Sequence, residues 1–152
     1  MPHYFLDTSA LVKHYHTEPG SLRVDQILGE AGSAYSVARL TLTEGPSVFA
    51  KKTRMGEISE ADFDRLRLRF YADVRDRTVT PVRILNVHFE SAGDLIAKYG
   101  KTRQIHTLDA IQLAVALSIQ TPAPIDHFVC SDQRLCNIAL LEGLAVINPE
   151  QP

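Results

Sequence analysis

The chain has 152 residues, 45% of them hydrophobic and 22% charged, the proportions of an ordinary globular protein with enough length to bury a real core. That length predicts a single domain spanning 1–152. A net charge of −2 argues against a uniformly basic nucleic-acid binder, and no stretch approaches the roughly 18 apolar residues of a membrane span.

In chain order, His3 to Leu6 reads as a buried strand, followed by a helix through Ser9-Ala10-Leu11-Val12-Lys13 that stops before Pro19-Gly20. Residues 21–30 predict a second helix, with Leu22, Val24, Ile27 and Leu28 on its inner face. Residues 34–37 are a short strand candidate, and helix is expected to resume from about Leu40. Over 59–77, Phe63, Leu66, Phe70 and Val74 fall at helical spacing, which outweighs the strand-like alternation of Leu66, Leu68 and Phe70. A strand is expected at 82–85, a helix at 87–99, a polar loop at 101–104 and an apolar helix from about Leu108 to Ile119. Thr121-Pro122-Ala123-Pro124 ends that helix; strand 127–130, helix 133–142 and strand 145–147 complete the pattern. Strands alternating with helices predict an α/β fold with a mainly parallel sheet covered on both faces. In such folds the functional crevice lies beyond the carboxyl ends of the strands.

Four acidic residues occupy poor places for a carboxylate. Asp7 ends the run Tyr4-Phe5-Leu6, and Asp132 follows Phe128-Val129-Cys130, so both sit at a predicted strand end. Each is open to two readings, helix N-cap or site ligand, because Asp caps helices well. Glu44 shares a helical stripe with Leu40 and Val48, and Asp109 shares a face with Leu113, Ala116 and Leu117. A buried, unpaired carboxylate costs several kcal/mol, and crowded like charges cost more. A divalent cation among them is the simplest compensation, and a metal held by carboxylates commonly acts on phosphates. Gly45-Pro46 weakens the helix after Glu44, so a kink or a late helix start is expected there. Cys130 and Cys136 make no metal or redox motif and are read as reduced and buried. No signal peptide is visible, which makes a cytoplasmic location the default expectation.

The ordered set resembles the PIN-domain ribonucleases, in particular the VapC-type toxins of toxin–antitoxin pairs. The start Tyr4-Phe5-Leu6-Asp7-Thr8-Ser9-Ala10-Leu11-Val12-Lys13 looks like that family's first motif. Leu40-Thr41-Leu42-Thr43-Glu44 looks like the second, Leu108-Asp109-Ala110-Ile111-Gln112-Leu113-Ala114 the third, and Phe128-Val129-Cys130-Ser131-Asp132-Gln133-Arg134-Leu135 the fourth. Gly143-Leu144-Ala145-Val146-Ile147-Asn148-Pro149 resembles the usual ending. The resemblance implies a three-layer α/β/α sandwich, an endoribonuclease dependent on Mg²⁺ or Mn²⁺, a homodimer, and inhibition by a cognate antitoxin. It also implies that Asp7, Glu44, Asp109 and Asp132 form an acidic quartet, with Ser9 and Ser131 as supporting polar neighbours. Gly45-Pro46 departs from the family pattern and implies a displaced Glu44.

Oxygen ligands suit hard cations such as Mg²⁺ and Mn²⁺. On this reading Asp7 and Asp109 are the main direct ligands, with Asp132 and Glu44 binding directly or through water. Residues 51–83 carry nine Lys/Arg against six Asp/Glu. Within that stretch Lys51, Lys52, Arg54, Arg65 and Arg69 are candidates for RNA-backbone contacts, against the reading of a solvated helix. His14 and His16, two apart on a predicted helix, cannot face one zinc ion. A dehalogenase-like phosphatase would place Asp where Ser9 stands. The remaining alternative is a non-catalytic relative that binds RNA or protein, against which stands the presence of all four acids.

Overall fold

The computed structural model describes residues 1–151. Five strands, β1 (His3–Leu6), β2 (Ala34–Ala38), β3 (Thr80–Val82), β4 (His127–Val129) and β5 (Val146–Ile147), form one sheet in the order β3-β2-β1-β4-β5. Every pairing is parallel. Seven helices connect them: α1 (Thr8–Leu11, continued by a 3₁₀ turn over Val12–His14), α2 (Ser21–Leu28), α3 (Thr41–Arg54), α4 (Glu60–Arg75), α5 (Asn86–Tyr99), α6 (Thr107–Ser118) and α7 (Gln133–Leu141).

The two-residue period of β1 divides the core. Phe5 packs on one face with Phe128, α5, α6 and α7. Tyr4 and Leu6 pack on the other with α1, α2, Phe49 of α3 and Leu66 and Phe70 of α4. The result is the expected α/β/α sandwich, its central strands buried on both faces as parallel sheets require.

Two expectations are corrected. The third strand is Thr80–Val82 rather than 82–85, because Ser36, Val37 and Ala38 of β2 pair with Thr80, Pro81 and Val82. Pro81 has no N–H to donate, but β3 is an edge strand, where a ladder donor is dispensable. Leu85 instead precedes α5 and is exposed. The second correction concerns α3, which starts at Thr41 and runs through Gly45-Pro46, so no late start occurs. Pro46 strips the Leu42 carbonyl of its intrahelical donor, and the Tyr71 hydroxyl of α4 donates to that carbonyl at 3.4 Å. Gly45 is needed for packing: a Cβ there would lie 2.9 Å from the Phe70 ring. Helix α3 thus tolerates its breakers because α4 covers them.

Candidate metal centre

Asp7 follows β1 and Asp132 lies three residues past β4, so parallel topology puts both on the carboxyl edge of the sheet. Asp109 sits in the first turn of α6 and Glu44 in the first turn of α3. All four line one cavity of about 280 Å³, together with Thr8, Ser9, Ser47 and Gln112. Glu44 lines this cavity with Gly45-Pro46 directly after it in the helix. The cavity gathers the N-terminal ends of α1, α3, α6 and α7, whose exposed N–H groups and dipoles favour negative charge.

The choice between cap and ligand turns out not to be exclusive. Asp7 Oδ1 accepts hydrogen bonds from Ala10 N at 3.1 Å and Ser9 Oγ at 2.7 Å, while its Oδ2 accepts from the Cys130 thiol at 3.3 Å. Asp132 Oδ1 accepts from the backbone of Arg134 at 2.8 Å and Leu135 at 3.3 Å. Among the described residues, no hydrogen bond reaches Asp132 Oδ2, Glu44 Oε2 or either carboxylate oxygen of Asp109. Ser9 Oγ also accepts from Ser131 N at 3.0 Å, joining the loops after β1 and β4. Ser131 contributes through that N–H; its hydroxyl is buried without a partner.

The electrostatics record what the crowding costs. Burial pushes the Asp7 carboxyl up to about 7, against the downward pull of its hydrogen bonds from Ser9, Ala10 and Cys130, and Asp109 adds to the rise. Asp109 is raised by burial and then by Asp132 and Glu44, with His106 pulling the other way. The Cys130 thiol, raised far above its usual range by its neighbour Cys136 and by burial, stays protonated and remains a donor. Both cysteines are buried and free.

Gln112, passed over in the sequence, is 1% exposed on α6. Its amide nitrogen lies 2.7 Å from Glu44 Oε1 and about equally close to two hydroxyls, Thr8 Oγ1 at 3.1 Å and Thr41 Oγ1 at 3.0 Å. Thr8 Oγ1 also donates to Glu44 Oε1 at 2.8 Å. This buried bracket ties α1, α3 and α6 together and aims Glu44. The signal was present: Gln112 is the one polar side chain in the run from Ala110 to Ala116.

The donor set consists of carboxylate oxygens, four of which accept no hydrogen bond among the described residues, and it fits a hard divalent cation. Among the described residues no three His, Cys, Asp or Glu side chains converge tightly enough to grip one ion by themselves.

The five basic candidates lie elsewhere. Among the described residues, none lines the carboxylate cavity. Lys51 and Arg54 are exposed in the last turn of α3, roughly 10 and 15 Å along the axis from Glu44. Lys52 is paired with Glu18 and Glu57, Arg65 with Asp62, and Arg69 lies over the Tyr15 ring beside His14.

Among solved structures, VapC20 of Mycobacterium tuberculosis, a toxin described as cleaving the sarcin–ricin loop, superposes with a TM-score of 0.68 at 14% identity over 95% of this chain and 97% of its own. FitAcB of Neisseria gonorrhoeae gives 0.68 at 16% identity over 98% and 99%. VapBC2 of Rickettsia felis, bound to a DNA fragment from its promoter, gives 0.65 at 14% identity over 95% and 97%. At these identities the likeness speaks for the fold. No curated protein matches the sequence. The family model described as PIN domain matches residues 4–141, nearly the whole chain, and the chain belongs to the PIN-domain family.

Proposed function

We propose that this chain is a metal-dependent endoribonuclease and the toxin of a toxin–antitoxin pair. The observation that carries this is the convergence of four carboxylates, from four separate elements, on one cavity at the carboxyl edge of the sheet. The toxin–antitoxin assignment draws on the family and on neighbours described as VapC, VapBC and FitAcB proteins. A divalent cation, Mg²⁺ or Mn²⁺, would lower the pKa of a water and neutralise charge on the scissile phosphate when bound. Asp7 and Asp109 would hold it directly, with Asp132 and Glu44 acting directly or through water. Ser9 and the Ser131 N–H orient Asp7; Gln112 and Thr8 orient Glu44. Water as the nucleophile leaves 5′-phosphate and 3′-hydroxyl ends, and cyclic phosphates would contradict it. In this reading the chain acts as one domain, in the cytoplasm, as a homodimer restrained by its antitoxin. No described helix is long and apolar enough to cross a membrane.

The test is cleavage of total RNA in Mg²⁺, Mn²⁺ or EDTA by wild type and by folded Asp7→Asn and Asp109→Asn variants. Metal-dependent cleavage lost in both variants is the expected result; cleavage surviving in both would overturn the assignment. The alternative is a non-catalytic module that binds RNA or protein. Binding of RNA without cleavage in either metal would select it.

A further inference from the structure

In an all-parallel sheet, the residue that follows each strand lies on the same edge. Read across the sheet in the order β3-β2-β1, the residues directly after the strands are Arg83, Arg39 and Asp7; beyond β4, Asp132 caps α7 and Arg134 lies in the first turn of that helix. Arginine thus follows β2 and β3 on one side of the acidic centre and stands at the start of α7 on the other. The α5–α6 connection, which carries Lys101 and Arg103, leads into the turn of α6 that carries Asp109. Arg134 shares a narrow crevice with His106, Asp109 and Asp132.

These five cations share with Arg23, Lys51, Arg54 and Arg77 that they are exposed and, among the described residues, in no ion pair; what sets them apart is their position around the acidic centre. Lys13, Lys52, Arg65, Arg75 and Lys98 are each committed to a carboxylate. Arg39, Arg83, Lys101, Arg103 and Arg134 are exposed, and among the described residues none is in an ion pair. Arg134 avoids pairing even though Asp109 and Asp132 line the same crevice. Cations left open beside a centre built for a phosphodiester have one evident ligand, the phosphates on either side of the bond to be cut. Neighbouring strands are about 4.8 Å apart, so Arg39 and Arg83 stand one and two strand spacings from β1, a reach suited to successive phosphates of one chain.

We propose that a single RNA strand crosses the carboxyl edge of the sheet roughly perpendicular to the strands. Arg39 and Arg83 hold its backbone on one side of the scissile phosphate, and Arg134, Lys101 and Arg103 hold it on the other. This rests on the ribonuclease reading above and moves the RNA path off the α3–α4 residues that the sequence suggested.

The experiment uses fluorescein-labelled oligouridine in Mg²⁺, bound by the full chain carrying Asp7→Asn to suppress cleavage. Affinity is measured by anisotropy across KCl concentrations. Replacing Arg39 and Arg83 by Ala, or Lys101, Arg103 and Arg134 by Ala, should weaken binding about tenfold or more. Each change should also flatten the slope of log K on log[KCl] by ~0.7 for every phosphate no longer neutralised by the protein. Lys51→Ala with Arg54→Ala should leave affinity within about twofold, since exposed cations off the path touch no phosphate. All five side chains are exposed, so thermal melting should show the variants folded. Full affinity in both edge variants, with loss in the α3 variant, would overturn the path while leaving the ribonuclease reading intact. Failure of the parent protein to bind RNA at all would overturn the ribonuclease reading itself.

Discussion

The chain concentrates charge in two partly buried places and treats it in opposite ways. Lys13, only 5% exposed, is held by Glu18 at 3.1 Å and Glu150 at 3.3 Å, and Lys52 is held by the same Glu18 at 2.8 Å and by Glu57 at 3.4 Å. Two cations among three carboxylates pin the start of the chain, α3 and the C-terminal segment to one another. Although burial opposes it, hydrogen bonds from Lys52 and Lys13 hold the Glu18 carboxyl below its usual range. At the carboxyl edge of the sheet four carboxylates gather with no ion pair among the described residues, and Asp7 and Asp109 are pushed up instead. The paired network stabilises the fold as it stands. The unpaired cluster costs stability, and a chain that keeps it is set up to receive positive charge from outside.

The comparison can be broken first at the paired site. Lys13→Met should destabilise the protein by about 3 kcal/mol, because Glu18 and Glu150 lose a buried partner, and urea unfolding measures it. A change near zero would mean the network is ornamental. At the unpaired site the sign should reverse. Asp7→Asn keeps an oxygen for Ala10 and Ser9 but removes the buried charge, so without metal it should gain about 1–3 kcal/mol at pH 8. The same substitution should weaken Mn²⁺ binding by calorimetry. Destabilisation would mean that the capping role of the charged form dominates.

Smaller effects sharpen the contrast. Gln112→Leu removes the amide that ties Thr8, Thr41 and Glu44, and should cost about 1–3 kcal/mol through groups left unsatisfied. It should also lower RNA cleavage about 10–100-fold, as loss of a group that orients a ligand does. Cleavage at the wild-type rate in a folded Gln112→Leu would show that Glu44 needs no bracket. The smallest change is at Cys130, whose thiol donates to Asp7 Oδ2. Cys130→Ser should keep that bond and alter stability by less than about 1 kcal/mol, whereas Cys130→Val should weaken Mn²⁺ binding through Asp7. Equal Mn²⁺ affinity in the two variants would dismiss the thiol.

The sheet and three of the four acid positions were legible because they follow from period and place. Tyr4-Phe5-Leu6 and Phe128-Val129 are short buried runs, and a carboxylate just past such a run falls on the edge where parallel strands end. Asp109 was legible from the face it shares with apolar residues of α6. Glu44 was harder, since Gly45-Pro46 argues locally against the helix that positions it; the compensation comes from Phe70 and Tyr71, far along the chain. The same kind of tertiary pairing misplaced β3, whose register β2 decides. Basic residues were the least legible. Lys52 and Arg65 read as available cations until Glu18, Glu57 and Asp62 are seen to hold them. Arg39 and Arg83 gain meaning only once the strand order is known.

The most direct test of the central claim is unfolding free energy against pH, in EDTA and in excess Mn²⁺. Asp7 has a folded pKa of about 7 against 3.8 for the free group, so its contribution is fully present below pH 3.8 and is lost as pH rises through 7. Asp109 is shifted in the same direction. In EDTA the cluster should therefore remove on the order of 4 kcal/mol between pH 4 and pH 8, a loss absent from Asp7→Asn. Saturating Mn²⁺ should restore that stability in wild type and leave the variant's curve little changed. A wild-type curve that is flat or rises over this range relative to Asp7→Asn, with no response to Mn²⁺, would contradict the account.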